Sequence, residues 1–465
     1  MRARVFFLAG FTGLLAGCMV GPNYKRPSVP APSQFRGGPA HPAPASIAET
    51  KAADLFADDT LRQLIAGALG NNFDLRIAAE RVEQARAAYG IARANLLPTL
   101  ALQAQFTGAR GSSVGAARFL PRGTNIATSY TQGGLLFAWE LDLWGRIRRQ
   151  NEAARARYLA TEEVRHGVML SLASEVMDTY FGLREQDLEL EISRKTGMLA
   201  ADSLRLVRVR HDRGAATALD VHQAEQLLYI STSQVARARR QIGLAEDALS
   251  MLMGNVPGEI PRGKTLEEIA LPPEIPAGLP SSLLERRPDI RRSEDDLIAA
   301  NAEIGAARAL LFPTVSLTGL YGAQARGLSN LISGPARLQN FGPSALLPIF
   351  HAGLRSGIRL TEAQQREALL SYQKTIYEAL REASDALIAH DQTREQRLEQ
   401  EKLVVALAET VRLSTLRYQG GLDSYLQVLD AQRNLFTGQL NLAQLRLLEI
   451  ESIVQIYRAL GGGWQ

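Results

Sequence analysis

The sequence predicts a mainly helical chain with transmembrane β-strands, arranged as two copies of one unit in the order helix, strand, strand, long helix, helix. Three observations support this fold class. Motifs in the first half of the chain return in the second half. Segments with period-two alternation follow a proline in each half. Helical patterns of about 60 residues, which would span about 90 Å at 1.5 Å per residue, come after those segments.

The duplication is visible in two pairs of motifs. LLPTLAL, around Pro98, returns as LFPTVSL, around Pro313. RHDRGAATALDV, around Gly214, returns as RYQGGLDSYLQV, around Gly421. The two offsets differ by only a few residues, which indicates one duplicated unit with an insertion or deletion between the blocks. The helices are expected at about 58–95, 146–211 and 217–253, and again at about 282–310, 356–418 and 424–460.

Each repeat contains two segments with the alternation of a strand that has two different faces. Before Pro98 the pattern is helical, whereas Leu100, Leu102 and Phe106 alternate with smaller or polar residues. Segments of about ten residues with an aliphatic and aromatic face have the length and pattern of transmembrane barrel strands. The expected strands cover about 97–107 and 133–144 in the first repeat, and about 313–322 and 341–351 in the second.

The two faces of these strands differ in character. Leu135, Phe137, Trp139 and Leu141 point one way, and we expect this face to contact lipid. The other face carries small and polar residues that suit a wet lumen: Thr99, Ala101, Gln103, Thr314, Ser316 and Thr318. A layer of soluble hairpins is the alternative interpretation.

Four strands cannot close a barrel, so the strands need partners from other copies of the chain. An open sheet edge in lipid would leave backbone groups unpaired, at several kcal/mol each. Two copies supply eight strands and three supply twelve. An eight-stranded barrel is filled by its own side chains, whereas a twelve-stranded one can be hollow. The small and polar inner face suits a hollow barrel with a wet lumen.

The N-terminus has the pattern of an export signal that ends at the only cysteine of the chain. Arg2 and Arg4 precede an apolar segment, and LLAGC ends at Cys18. This ending resembles the lipobox of bacterial lipoproteins, whose cysteine receives a diacylglycerol and an N-acyl chain. A plain signal peptide with an incidental cysteine is the alternative. We expect a signal peptide at 1–17, an acylated Pro-rich tether at 18–50, the first repeat at 51–270 and the second at 271–465.

Over nearly its whole length the chain resembles the outer-membrane efflux proteins of the TolC family, in their lipoprotein branch. The resemblance rests on the order of several motifs, namely GCMVGPNYKRP, the paired proline motifs, ELDLWGR, LLERRPDIRRSE, LRYQGGLDSYLQVLDAQR and RALGGGW. It implies a trimeric, twelve-stranded barrel in the outer membrane, continued by an α-helical barrel through the periplasm. It also implies two partners, a periplasmic adaptor protein and an inner-membrane pump, for which the channel passively conducts substrates to the exterior.

The resemblance places the adaptor contact and the closing aperture at the turns between the long helices. The residues expected to contact the adaptor are Arg210, Gly214, Leu219 and Val221 in the first turn, and Arg417, Gly421, Leu426 and Val428 in the second. Asp212, Asp220 and Asp423 are the candidates for the acidic residue that closes the aperture. The first turn departs from the second because His211 stands where the second has Tyr418. That the two glycines only form turns remains the alternative.

The sequence carries no enzyme signature. It contains no HExxH, GxSxG, Walker or CxxC motif, so we expect no catalytic residue, no metal site and no cofactor besides the acyl chains on Cys18. It also has no basic face with interleaved aromatic residues, so nucleic acid is not an expected partner.

Two functional alternatives stay open at this point. The same fold serves type I protein secretion or metal efflux, and the sequence does not separate these substrates. A periplasmic adaptor lipoprotein also combines a lipobox with a coiled-coil hairpin, although it would have one hairpin and compact β domains.

Overall fold

The structure is a computed structural model that describes residues 19–30, 32–38, 46–112, 121, 126–271 and 275–462. The expected lipidation site, Cys18, and the signal peptide lie outside these residues. In the described part of the chain, no helix is both long enough and apolar enough to cross a membrane. The chain divides into a sheet unit, Met1–Pro27, Glu83–Ala160 and Glu294–Ser371, and a helical unit, Ser28–Val82, Thr161–Ser293 and Tyr372–Gln465.

The order of elements is the same in both halves, as predicted. In the first half the helices are α1 (Asp59–Asn71), α2 (Phe73–Ala94), α3 (Arg146–Asp212) and α4 (Ala218–Leu252), with strands β1 (Thr99–Arg110) and β2 (Ala127–Leu141) between α2 and α3. In the second half they are α5 (Leu283–Arg286), α6 (Pro288–Ala309), α7 (Ala352–Gln419) and α8 (Tyr425–Ala459), with β3 (Thr314–Ala325) and β4 (Arg337–Leu346) between α6 and α7. Short 3-10 helices lie at Ile47–Glu49, Ala52–Asp54, Pro280–Ser282, Leu328–Asn330 and Gly334–Ala336.

The helices expected at about 58–95 and 282–310 are each interrupted, which the periodicity did not predict. Asn72 leaves the helix with ψ 134°, and its Oδ1 accepts a hydrogen bond from the backbone N–H of Leu75. This bond satisfies one of the free N–H groups at the start of α2. Arg287 is extended because it precedes Pro288, whose ring disfavours the helical conformation of the residue before it.

The strands form one antiparallel sheet in the order β1-β2-β3-β4. β2 begins at Ala127 rather than at about 133. The alternation did not predict this earlier start, because the first part of the strand carries polar residues on both faces. β4 covers Arg337–Leu346 rather than about 341–351. It contains Pro343, a residue type found mainly on edge strands, and β4 ends the strand order in the sheet of the single chain.

The core of the helical unit is built around the start of α1. Asp58 is 2% exposed and caps α1 by accepting hydrogen bonds from the backbone N–H groups of Thr60 and Leu61. Its second oxygen accepts from the hydroxyl of Tyr180 at 2.9 Å and from the backbone N–H of Lys264 at 3.1 Å. Four hydrogen bonds thus satisfy the buried side chain of Asp58, which links α1 to α3.

Candidate channel wall and docking surfaces

The strand register separates the sheet into an apolar face and a polar face. Leu100 pairs with Phe137 and Leu102 with Leu135, so these residues share one face. The pairs Leu135 to Tyr321 and Trp139 to Leu317 extend the same face onto β3. The apolar face therefore runs continuously across the sheet, and it includes Leu135, Phe137, Trp139 and Leu141, the four residues expected to contact lipid.

The polar face has the predicted composition. Thr99 and Ala101 pair with Ala138 and Leu136, and Ala138 pairs in turn with Thr318. The residues expected to line the lumen thus lie together, opposite the apolar face: Thr99, Ala101, Gln103, Thr314, Ser316 and Thr318.

Two tryptophans mark the junction between strands and helices in the sheet unit. Trp139 donates from Nε1 to the backbone carbonyl of Leu96, at 3.1 Å. Trp144 donates to the carbonyl of Pro313, at 2.8 Å, and its ring stacks on Phe312 with 4.7 Å between centroids. Trp139 therefore lies near the helical end of β2, a position typical of the aromatic residues that flank the hydrocarbon layer.

The first described residues form a docked strap, which the sequence did not reveal. The strap, Met19–Arg26, lies on the sheet unit, where Val20 donates from its backbone N–H to the carbonyl of Trp144 at 3.1 Å. Arg149, 1% exposed, donates to the carbonyl of Val20 at 3.3 Å and to Oδ1 of Asn23 at 2.7 Å. The segment expected to be a tether therefore begins as part of the fold.

Glycine is required where the strap crosses α6. Gly21 has φ +97°, and a Cβ there would lie 2.4 Å from the Cα of Gly305. Asn301 donates to the carbonyl of Pro22 at 3.0 Å, and Tyr24 donates to Glu294 at 3.0 Å. In the motif GCMVGPNYKRP, Gly21 and Tyr24 thus each have a structural reason.

The two turns between long helices have the same backbone geometry. Gly214 has φ +74° and Gly421 has φ +76°. In each turn the glycine N–H bonds to the carbonyl three residues back, and the next N–H bonds to the carbonyl five residues back, which is a Schellman motif. A Cβ on either glycine would meet no atom within 4 Å. Backbone conformation alone therefore requires glycine here, and the space around it is open.

The two turns pack against each other through side chains of the second repeat. Tyr418 and Tyr425 make an edge-to-face contact with 5.4 Å between ring centroids. The guanidinium carbon of Arg210 lies 4.5 Å from the centroid of the Tyr418 ring. His211, which aligns with Tyr418, is instead exposed. The two turns therefore contact each other through the tyrosine of the second turn, and the histidine of the first turn has no equivalent role in that contact.

The residues expected at the adaptor surface fall into two groups. Leu219 and Leu426, which occupy equivalent positions, are 64% and 50% exposed. Val428 is 3% exposed and belongs to the buried cluster around Tyr418 and Tyr425, and Val221 packs against that cluster. Val428 therefore supports the surface from inside and does not lie on it.

The acidic candidates for the aperture have different local partners. Asp423 accepts two hydrogen bonds from Arg417, at 2.6 and 3.1 Å, and this contact lowers the pKa of Asp423. Asp220 completes a capping box with Thr217 at the start of α4. Asp212 is highly exposed and lies 3.7 Å from His211.

Buried carboxyl groups lie farther along the helical unit. Burial, together with Glu451, raises the pKa of Asp178 to about 7, and Oδ1 of Asp178 has no hydrogen-bond partner in the described part of the chain. Burial and the neighbouring Glu189 also raise the pKa of Glu185. Over the same residues, no group of three or more His, Cys, Asp or Glu side chains is placed to hold a metal ion.

Comparison with known proteins places this arrangement in a family. The chain matches the family described as "Outer membrane efflux protein" over residues 64–255 and 279–462. It is 40% identical over 458 residues to the solvent efflux pump outer membrane protein SrpC of Pseudomonas putida, covering 97% of this chain and 96% of that protein. It is 34% identical over 456 residues to the cation efflux system protein CusC of Escherichia coli, covering 97% of both chains.

A solved channel has the same fold. The crystal structure of the open state of the Neisseria gonorrhoeae MtrE outer membrane channel matches with a TM-score of 0.86 at 31% identity, covering 96% of this chain and 99% of that chain. These matches exclude the periplasmic adaptor alternative. The chain therefore belongs to the outer membrane efflux protein family, and it is a passive outer-membrane channel protein with a TolC-like fold rather than an enzyme.

Proposed function

We propose that three copies of the chain close their sheets into one twelve-stranded barrel, which conducts efflux substrates across the outer membrane. The register of the sheet is the observation that carries this proposal. β1 and β4 end the strand order of the sheet, so each offers an edge to a neighbouring copy. Closure pairs these edges and places the apolar face against lipid.

The exposure of the apolar face supports a lipid environment. In the single chain Leu102 is 82% exposed and Phe106 is 70% exposed, and both belong to a continuous face that also includes Phe341. Water contact with such a surface costs about 25 cal/mol per Å². An apolar face of this size marks a surface that is covered in the functional state.

We place the contact with a periplasmic adaptor at the two helical turns. Leu219, Leu422 and Leu426 are exposed at these turns, and the buried tyrosine pair fixes the turns relative to each other. Three copies would present six turns around one axis. The adaptor would connect them to an inner-membrane pump, as expected for a component of a tripartite efflux system.

The same turns are our candidate for the closing aperture. The pair of Arg417 and Asp423 is exposed to water, and exposed ion pairs contribute about 1 kcal/mol or less. Links of this strength can be exchanged for contacts with an adaptor, which shifts the population toward an open state. Among the acidic candidates, Asp212 has the side chain most available to a neighbouring copy, since Asp220 and Asp423 already bind groups of their own turn.

We further propose that Cys18 carries a diacylglycerol and an N-acyl chain. The strap supports this, because Val20, two residues after Cys18 in the sequence, bonds to Trp144 at the junction of strands and helices. The acyl chains would then enter the membrane next to the barrel, where they add to its anchoring. The mass of the N-terminal peptide of the mature protein tests this proposal.

The exported substrate is not specified by the chain. Its relatives are named for solvent efflux and for cation efflux, and these substrates share one channel fold. We infer that the pump selects the substrate and the channel conducts it.

Two measurements on the detergent-purified protein test the proposed channel. Native mass spectrometry should give the mass of three chains, and planar bilayers should show single-channel conductance. A monomer that stays folded in detergent and produces no conductance would contradict the closed barrel.

A further inference from the structure

Glutamines occupy one level of three neighbouring strands on the polar face of the sheet. Gln105 pairs with Gln132 across β1 and β2, and Gln132 pairs with Gln324 across β2 and β3. Directly paired residues of antiparallel strands have Cβ atoms about 4.5–5.5 Å apart on the same face. Three side-chain amides therefore stand next to one another in a row across the sheet.

Hydrogen bonds continue this row along β1. Gln103 donates from Nε2 to Oε1 of Gln105, at 3.2 Å, and Gln105 donates from Nε2 to Oγ1 of Thr107, at 3.3 Å. An amide donates and accepts at the same time, so each link leaves further donors and acceptors available to water or to a solute.

Glycines leave the middle of the neighbouring level without side chains, between Gln103 on β1 and Leu338 on β4. Gly134 and Gly322 pair with each other on the polar face, next to the glutamine row. A Cβ on Gly322 would lie 2.1 Å from the carbonyl oxygen of Gly133, and a Cβ on Gly134 would lie 2.6 Å from that of Tyr321. Side chains are therefore excluded at these two positions, and the glutamines project beside a recess.

The polar face is almost free of charge along the strands. Its charged strand residue is Glu140, at the helical end of β2, and this carboxylate accepts hydrogen bonds from Arg146 at 2.6 and 3.0 Å. The other strand residues of this face are small, polar and uncharged, or aliphatic. The glutamine row thus stands in a neutral part of the wall.

We propose that Gln105, Gln132 and Gln324 from three copies form a neutral amide girdle in the lumen, and that this girdle lets the barrel section of the channel pass solutes of either charge. The proposal rests on the twelve-stranded barrel proposed above. Rings of charged side chains make channels selective for the opposite charge, whereas amides solvate cations, anions and uncharged polar groups alike. A passing solute would exchange water for amide hydrogen bonds at this level.

Ion selectivity in planar bilayers tests the girdle. The reference is the ratio of potassium to chloride permeability of the wild-type channel at pH 8, to which the proposed acidic aperture also contributes. The variant Gln132→Glu would place a ring of carboxylates at this level, and it should raise the ratio of potassium to chloride permeability about threefold or more. Most of the increase over the wild type should be lost at pH 4, where most of the carboxylates are protonated. The variant Gln132→Asn, which keeps an amide and adds no charge, should keep the wild-type ratio.

The possible outcomes separate the girdle from the barrel. A wild-type protein that neither trimerises nor conducts contradicts the barrel itself. A conducting Gln132→Glu channel with wild-type selectivity at pH 8 overturns the girdle and leaves the barrel intact. If Gln132→Glu does not assemble, charge can be added after assembly by modifying Gln132→Cys with an anionic thiosulfonate, in a Cys18→Ser background without other cysteines. Complete modification with no change in selectivity would equally overturn the girdle.

Discussion

Asn72 donates a hydrogen bond from its side-chain amide to the backbone carbonyl of Leu252, the last residue of α4, at 2.9 Å. At the equivalent point of the second repeat, Arg287 donates to the carbonyl of Ala459, the last residue of α8, at 3.0 Å. Each bond satisfies a carbonyl that the end of a helix would otherwise leave unpaired. Duplication thus preserved a contact between a helix break and a helix end, although the side chain changed.

Asn72→Ala should destabilise the helical unit by about 1–2 kcal/mol, because it removes the bond to Leu252 and the cap on Leu75 together. The adjacent Asn71 is exposed and bonds only within its own helix, so Asn71→Ala is the matched control. Thermal unfolding followed by circular dichroism should show a lower midpoint for Asn72→Ala than for Asn71→Ala. Equal midpoints would show that the contact with Leu252 contributes nothing.

Sequence periodicity predicted the long helices and the strand faces because those features repeat along the chain. Gly214 and Gly421 have positive φ, as glycine at a sharp reversal between two helices favours. The break at Asn72 could not be predicted in this way. A single asparagine fits a helical pattern, and its bond to Leu252 joins residues that are far apart in sequence.

The strap was missed for the same physical reason. Nothing near Arg149 in the sequence indicates that it binds the backbone of Val20, and a proline-rich segment alone suggests an extended tether. The burial of Val428 was also hidden, because repeat alignment relates positions and does not say which of them packs inside. Long-range contacts decide both features.

Arg149→Ala should release the strap, since the substitution removes its bonds to Val20 and Asn23. Lys25 is exposed, but trypsin needs a locally extended, mobile chain to cleave after it. We expect cleavage after Lys25 to be at least about tenfold faster in Arg149→Ala than in the wild type, a change equivalent to about 1.4 kcal/mol in the opening equilibrium. Arg157→Ala, which alters an ion pair elsewhere in the sheet unit, is the control and should keep the wild-type rate.

Leu102 and Gln103 are consecutive in β1, so they lie at nearly the same depth in the proposed barrel but on opposite faces of the sheet. Lysine substitutions at these two positions test the face assignment. Leu102→Lys should prevent assembly, because a lysine facing lipid near the middle of a strand costs about 2–4 kcal/mol in each copy. Gln103→Lys should assemble, since the polar face meets water in the proposed barrel. Heat-resistant trimers on gels of outer-membrane fractions report the result. Assembly of both variants, or of Leu102→Lys alone, would reverse or remove the face assignment.

The raised pKa of Asp178 should make the free energy of unfolding fall as the pH rises. Its pKa is raised in the folded chain from 3.8 to about 7, so the folded state holds a proton that the unfolded chain releases. The stabilisation is complete below about pH 4 and is lost as pH rises past about 7. Asp178→Asn mimics the protonated form beside Glu451, and it should raise the unfolding midpoint at pH 8 but not at pH 4. A variant that unfolds like the wild type at both values would assign the pH dependence to other groups.

The last prediction concerns the open space around Gly214 and Gly421. A Cβ on either glycine meets no neighbour, so substitution introduces only the strain of positive φ, about 1–2 kcal/mol for each turn. The double variant with Gly214→Trp and Gly421→Trp should therefore still form trimers in the outer membrane. If the turns bind an adaptor, the indole rings would obstruct that contact, and both capture of the cognate adaptor and efflux-dependent drug resistance should be lost.

The double alanine variant separates strain from obstruction at these turns. Gly214→Ala with Gly421→Ala imposes the same backbone strain on the Schellman motifs, but it adds only a methyl group to the surface. It should retain most adaptor capture if the tryptophans act by obstruction, because Leu219 and Leu426 stay accessible. Loss of capture in both double variants would show that the turn conformation itself is recognised. Normal adaptor capture and normal resistance in both variants would show that the glycines only form the turns and that the adaptor binds another surface.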